Sequence, residues 1–176
     1  MDGKERCIDD EIPFEIPENW AWTRLGNIIE LTSGQDFPPS GYNSSGNGFP
    51  YITGASNIEN GKIIINRWTN TPTSIARKQD LLIVCKGAGV GKMAFLHINM
   101  VHIARQIMSI RQIVFGLAYI QVFLEAQIDK IRKQMQGVIP GISRDDIQSL
   151  LLPLPPRQEQ CRIVAVKERI FARLDK

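Results

Sequence analysis

Residues 80–110, DLLIVCKGAGVGKMAFLHINMVHIARQIMSI, give the clearest indication of the fold of this chain. It contains apolar runs at 81–86, 92–98 and 103–110, and the first two flank a glycine-rich segment at 87–91. Short apolar runs bounded by turn residues are typical of β-strands. We therefore predict successive strands here, with a tight turn between the first two in which glycine permits positive φ.

The preceding sequence continues the strand pattern. FPYIT at 49–53 and KIIINRW at 62–68 lie on either side of Asn60-Gly61, and this dipeptide is a strong hairpin signal. Residues 32–47 are rich in Ser, Gly, Asn and Pro, which predicts an exposed loop. Such long loops are usually functional or disordered, and a merely solvated connection is the alternative. Between residues 22 and 115 we expect five to seven short strands, mostly antiparallel.

The sequence that follows changes to helical periodicity. Apolar residues recur at steps of three and four from Leu117 to Met135, which predicts an amphipathic helix packed inside the protein. Ser143 and Asp146 have the spacing of a helix cap. From residue 157 a second helix begins, and its apolar stripe is narrow. We expect that stripe to contact a partner helix in a coiled coil, rather than the chain's own core, through Ile163, Val166, Ile170 and Leu174.

Basic residues are concentrated in the strand region. Between residues 62 and 111 there are eight bases and one acid, Asp80, whereas residues 1–19 carry seven acids and two bases. A folded segment with this imbalance projects positive potential, and a polyanion is its natural partner. Bases scattered over a solvated surface are the alternative. The eight bases are Lys62, Arg67, Arg77, Lys78, Lys86, Lys92, Arg105 and Arg111.

The pattern divides the chain into three parts: a lead-in at 1–19, a folded domain at 20–156 and a helix from 157 to 176. The longest apolar runs are far shorter than the roughly 18 residues of a membrane span. Three widely spaced cysteines fit a reducing compartment better than a disulfide framework. We therefore expect a cytoplasmic protein with no membrane contact.

The sequence favours neither catalysis nor cofactor binding. GAGVGKM at 87–93 lacks the first glycine of a phosphate-binding loop, and Met93 stands where that loop needs Ser or Thr. Cys85, His97 and His102 do not have the spacing of metal ligands. No combination of nucleophile, base and acid is recognisable. We therefore predict no enzyme activity, no cofactor and no metal.

Several segments of this chain together have the order and spacing of one known family. They are IPFEIPENWAWTRLG at 12–26, PYITGASNIENGKI at 50–63, DLLIVCKGAGVGKMAF at 80–95, IARQIMSI at 103–110 and residues 137–176. They resemble the specificity subunits of type I restriction-modification systems. In that family the first segment resembles the entry into a target recognition domain, and the last resembles the exit into its spacer helix. The resemblance covers nearly the whole chain.

The resemblance implies a fold and a set of partners. Such subunits carry two recognition domains joined by helical spacers, and each domain reads one half of a split sequence in double-stranded DNA. The spacers hold modification subunits, which transfer a methyl group from S-adenosylmethionine to adenine, and restriction subunits join them. The implied fold is α+β: a curved, mostly antiparallel, β-helix-like array with helices, followed by the spacer helix.

The chain departs from the family's full form because it contains one recognition domain and part of one spacer. A half-length subunit that dimerises, a domain of a longer protein and a silent cassette all remain open. An assembly module whose DNA-reading loop is degenerate is the alternative function.

DNA recognition requires groups that bind phosphates and groups that read base edges. The basic segment 62–111 can supply the first, although ion pairing within the protein is an alternative for Arg105 and Arg111. Asn and Gln pair with adenine edges and Arg with guanine. The predicted base readers lie on the long loop and are Gln35, Tyr42, Asn43, Ser44, Ser45 and Asn47.

Overall fold

The structure is a computed structural model that describes residues 7–87, 89–114, 116–134 and 141–174. In these ranges it has twelve strands and three α-helices. The strands are β1 (Ala21–Arg24), β2 (Ile29–Ser33), β3 (Phe49–Ile52), β4 (Ile58–Glu59), β5 (Lys62–Ile63), β6 (Trp68–Thr69), β7 (Ile75–Arg77), β8 (Leu81–Val84), β9 (Met93–Phe95), β10 (Met100–Ile103), β11 (Ile107–Gln112) and β12 (Leu151–Leu154). The helices are α1 (Leu117–Gln134), α2 (Arg144–Gln148) and α3 (Arg157–Leu174).

The strands form two four-stranded sheets and two small ones. The first sheet has the order β2-β11-β8-β9 and is antiparallel throughout. The second has the order β6-β3-β10-β7, and only its β3–β10 pair is parallel. β4 pairs with β5, and β1 pairs with β12. The predicted α+β class with mostly antiparallel strands is confirmed.

The predicted number of strands, five to seven, is wrong, because eleven lie between residues 21 and 112 of the described chain. Two apolar runs that we predicted as single strands are each broken. The backbone N–H of Ile107 donates to Ala104, and this turn separates β10 from β11. The buried side chain of Asn57 donates to the carbonyl of Ile64 and to the side chain of Asn66, which bends the chain between β5 and β6.

Both predicted turns are present. Asn60 and Gly61 connect β4 to β5 with φ of 49° and 71°, the positive values that an Asn-Gly hairpin requires. Residues of the glycine-rich segment connect β8 to β9, and Gly87 and Gly91 both have φ of 84°. The glycines therefore serve strand reversal in this segment.

β8 is buried on both faces, which explains its unbroken run of apolar residues. Leu81, Ile83 and Cys85 point into one core, which the first sheet forms with α1 and α2. Leu82 and Val84 point into a second core, between the first sheet and residues of the second sheet. The fold is thus built around residues 80–110, whose strand β8 lies between the two cores.

The predicted internal helix is confirmed as far as it is described. Leu117, Ile120, Leu124 and Ile128 of α1 are buried in the first core, whereas the end of the predicted stripe at Met135 lies outside the described residues. The cap before α2 is also confirmed, because Asp146 N donates to Ser143 Oγ over 3.1 Å and Ser143 N donates to Asp146 Oδ2 over 2.7 Å.

α3 begins directly after β12 and packs against α1, where Lys167 forms an ion pair with Glu125. In the described ranges, no helix has both the length and the apolar character that crossing a bilayer would demand.

Candidate nucleic-acid interface

Four turns meet at one end of the two larger sheets, and we call it the turn end. It comprises residues 34–36, 53–57, 86–92 without residue 88, and 104–106. Backbone hydrogen bonds join these turns and the strand ends beside them: Gly34 N to Ile107 O (3.1 Å), Gln35 N to Ile103 O (2.9 Å), Ala104 N to Ile52 O (2.9 Å) and Cys85 N to Gln106 O (2.7 Å). Segments far apart in sequence thus form one surface.

The turn end carries several of the predicted DNA-binding residues. Lys86 and Lys92 flank the glycine turn and are exposed, and Gln35 and Arg105 are exposed on neighbouring turns. Lys92 also borders a surface cleft beside the Asn60-Gly61 hairpin. Lys62, exposed on the same hairpin, is therefore close to this surface.

The long loop is anchored at several points along its length. Asn43 and Trp68 exchange backbone hydrogen bonds of 2.8 and 2.9 Å, and Thr69 Oγ1 donates to the carbonyl of Gly41 over 2.8 Å. The Asn43 side chain donates to the carbonyls of Asn47 and Trp68 and accepts from Ser45. Asn43, a predicted base reader, therefore uses its amide within the loop itself. Ser44 beside it is exposed.

An aromatic cluster fixes the start of the loop to the second sheet. The ring of His102 lies 4.4 Å from that of Phe37 and 4.8 Å from that of Tyr51, measured between centroids. Tyr42, another predicted base reader, packs edge-on against Tyr51 at 5.7 Å. Such contacts between rings stabilise a defined arrangement of the loop.

His102 also holds the loop by hydrogen bonds. Its Nδ1 accepts from the backbone N–H groups of Thr73 (3.3 Å) and Ser74 (3.2 Å). The ring proton therefore belongs on Nε2, which donates to the carbonyl of Gln35 over 2.7 Å. Burial lowers the pKa of His102, so the neutral ring that makes these three bonds is favoured.

Arg77, Lys78 and Arg111 lie at the opposite end of the sheets. Arg111 donates through Nε and Nη2 to the carboxylate of Asp80, over 2.8 and 2.7 Å. Ser109 Oγ and the backbone N–H of Arg77 donate to the same carboxylate, each over 2.8 Å. The hydrogen bonds with Asp80 raise the pKa of Arg111, which is a half-buried member of this ion-pair network. Lys78 borders a cavity of about 730 Å³ beside the first turns of α1 and α3.

The structure divides the predicted DNA-binding residues into separate groups. Gln35, Lys86, Lys92 and Arg105 come together at the turn end, and Lys62 lies beside it. Tyr42, Asn43, Ser44 and Arg67 lie along β6, where Arg67 Nη1 donates to the carbonyl of Asn66 over 2.8 Å. The three remaining bases, Arg77, Lys78 and Arg111, lie at the opposite end of the sheets. The basic segment is therefore not one continuous surface.

Sequence reasoning missed the acids that organise these bases. Asp80 was visible as the one acid among eight bases, and that isolation is the signal that it has basic partners. Asp36 forms an ion pair with Arg105 of 2.7 Å across 69 positions of the chain. No local pattern indicates a contact over such a separation.

The predicted partner-helix residues of α3 fall into two groups. Ile163 is partly buried and packs on the first core, so the expectation that the whole stripe faces a partner needs correction there. Val166 is half-buried. Ile170 and Leu174 are 51% and 74% exposed, and they leave the distal part of α3 open for contact with another helix.

Comparison with known proteins gives a consistent result. A family model described as the type I restriction modification DNA specificity domain matches residues 17–176. A protein of Methanocaldococcus jannaschii, described as a candidate type I restriction enzyme MjaX specificity subunit, is 31% identical over 153 residues, which are 83% of this chain and 35% of that protein. The EcoAI specificity subunit of Escherichia coli is 24% identical, over 96% of this chain and 31% of the subunit.

Solved structures share the fold. The HsdS subunit of Thermoanaerobacter tengcongensis superposes with a TM-score of 0.80 at 27% identity, over 93% of this chain and 40% of the subunit. A chain from a structural study of complex assembly and conformational transition in a type I R-M system superposes with a TM-score of 0.82 at 27% identity. The match covers 93% of this chain and 41% of that chain. The chain spans about a third of the length of the two curated relatives and about two fifths of the length of the two solved chains.

Proposed function

Because the chain belongs to the family of type I restriction-modification DNA specificity domains, we propose that it recognises a short sequence in double-stranded DNA and performs no catalysis itself. The observation that carries this proposal is the convergence of Gln35, Lys86, Lys92 and Arg105 at the turn end. These residues combine phosphate-binding cations with side chains that can read bases.

The chemistry divides between the two kinds of residue. Lys86 and Lys92 are exposed point charges on either side of the glycine turn, so they suit phosphates and hold the duplex in one register. Lys62 adds a third cation beside them. Gln35 carries an amide that can pair with adenine in the major groove, and its Oε1 accepts from Thr73 Oγ1 over 3.1 Å.

The proposal includes partners that the whole relatives imply. Residues 20–156 form the recognition unit, and the pairing of β1 with β12 at its two ends supports this division. The helix from 157, described to residue 174 as α3, starts the spacer. Its exposed distal stripe contacts the spacer of a second recognition domain or of a second copy. Modification subunits bring S-adenosylmethionine and the methyl transfer, and restriction subunits join through them.

We place this activity in the cytoplasm, where such a system meets the DNA. The three cysteines, Cys7, Cys85 and Cys161, are free thiols, which is compatible with a reducing compartment. Burial raises the pKa of Cys85 to about 12, so this thiol is inert and serves packing in the first core.

Selection from a randomised duplex pool tests the proposal. The chain together with a modification subunit should enrich a short motif, or two copies of it at fixed spacing. Raising the salt from about 50 to 200 mM should weaken binding about 40-fold if Lys62, Lys86 and Lys92 neutralise three phosphates. Salt-sensitive binding without enrichment would contradict the proposal and favour an assembly module with a generic basic surface.

A further inference from the structure

The ion pair between Asp36 and Arg105 is a feature of the turn end that phosphate binding does not explain. Arg105 Nε lies 2.7 Å from Asp36 Oδ2, and the backbone N–H of Arg105 donates to Asp36 Oδ1 over 3.0 Å. Both side chains are exposed, Arg105 by 70% and Asp36 by 43%. Exposed pairs add little stability. A carboxylate also weakens the attraction of this surface for DNA, so its place beside Arg105 calls for another role.

The pair leaves the outer edge of the guanidinium available. A guanidinium has one N–H donor on Nε and four on its two terminal nitrogens. The Asp36 carboxylate lies against Nε as an ion-pair partner, and within the described ranges the terminal nitrogens of Arg105 donate to no protein atom. Two parallel donors of this kind match the O6 and N7 acceptors of guanine, the commonest specific contact in the major groove.

The surrounding backbone holds both members of the pair in place. Gln35, next to Asp36, donates its N–H to Ile103 O and accepts at its carbonyl from His102 Nε2. Next to Arg105, Ala104 donates its N–H to Ile52 O over 2.9 Å. A side chain held in its binding geometry loses less conformational entropy when it binds.

We propose that Arg105 reads a guanine in the major groove and that Asp36 is the positioning residue that orients its guanidinium. This inference rests on the proposed function and adds to it the identity of one base. Lys86 and Lys92, at the same end, hold the phosphates that bring the groove edge to Arg105. Asp36 does not touch the base in this arrangement.

The test compares the motifs selected by the wild-type chain, R105K and D36N, each with the modification subunit. The wild-type motif should contain one position fixed as guanine. R105K keeps the charge but loses the planar pair of donors, so discrimination at that position should fall about 5- to 150-fold, the contribution of one bidentate contact. D36N should reduce the preference for guanine at the same position by a smaller factor. Because it removes a carboxylate that weakens the attraction for DNA, binding to all sequences should become stronger.

A matched control and a chemical probe sharpen the result. R162K makes the same exchange at an exposed arginine of α3 that pairs with Glu159, outside the predicted DNA-binding residues, and it should leave every position of the motif unchanged. A duplex with 7-deazaguanine at the fixed position lacks the N7 acceptor. The wild-type chain should bind it more weakly than guanine, and R105K should bind both equally. Urea unfolding midpoints within error of wild type confirm that the variants are folded.

The outcomes separate this inference from the function on which it rests. Failure of the wild-type chain to enrich any motif overturns the proposed function. A wild-type motif that R105K reproduces at every position overturns the assignment of Arg105 and leaves the function intact. A loss of discrimination at a position that is not guanine also overturns it.

Discussion

Replacing Asp80 with alanine should lower the free energy of unfolding by about 3–5 kcal/mol, among the largest single-residue effects that the structure indicates. The side chain of Asp80 is only 3% exposed, and it accepts hydrogen bonds from Ser109, Arg111 and the backbone of Arg77. Alanine would leave the Arg111 guanidinium without its main counter-charge and the Ser109 hydroxyl without its acceptor. Both groups are partly or fully buried, so water cannot replace the lost bonds freely.

Equilibrium unfolding in urea measures this effect as a lower midpoint at an unchanged slope. R105A is the matched control, because it breaks the exposed pair with Asp36 and should cost less than about 1 kcal/mol. If D80A and R105A unfolded at the same midpoint, the hydrogen bonds of Asp80 would not stabilise the opposite end of the sheets as described.

Replacing Gly34 with alanine should both destabilise the protein and disturb DNA recognition. A Cβ at Gly34 would lie 2.1 Å from the Ala104 carbonyl oxygen and 2.5 Å from that of Ile103. These are backbone atoms of β10 and of the turn after it, so the loop itself must move. Forcing an extra carbon into such a contact costs about 1–3 kcal/mol. The displacement would separate Asp36 from Arg105.

G141A is the control for this change, because the nearest atom to its added Cβ, the Cys85 carbonyl oxygen, is 3.9 Å away. We expect G141A to keep both the unfolding midpoint and the selected DNA motif. G34A should lower the unfolding midpoint and reduce the base preference at the position of the motif that Arg105 reads. A G34A protein with a wild-type motif would show that the close approach of the loop to β10 is not needed for recognition.

The sequence predicted the strand region well because its signals are local. The run from Leu81 to Cys85 has no polar residue, and a strand buried on both faces needs none. The Asn60-Gly61 pair and the glycine segment specify turns through positive φ, a property of the residues themselves. The amphipathic stripe of α1 likewise follows from helical periodicity alone.

The site could be predicted only in part, because its geometry depends on contacts between distant segments. Charge counting grouped Arg111 with Arg105, yet β11 carries Arg111 away from the turn end to Asp80. Asn43 has the chemistry of a base reader, but the loop uses its amide for its own structure. Asp36 and His102 organise the loop through partners that no sequence spacing indicates.

The most direct test of the account is whether the turn end, and not the opposite end, binds DNA. The measurement is the affinity for one selected duplex of two double variants, K86E/K92E and R77E/K78E, with their salt dependence. Because each pair changes the net charge equally, a uniform effect of charge cancels in the comparison. We predict that K86E/K92E loses on the order of 100-fold in affinity at about 50 mM salt and lowers the salt slope by about 2, whereas R77E/K78E binds nearly as wild type. Loss of binding in R77E/K78E with wild-type affinity in K86E/K92E would contradict the account.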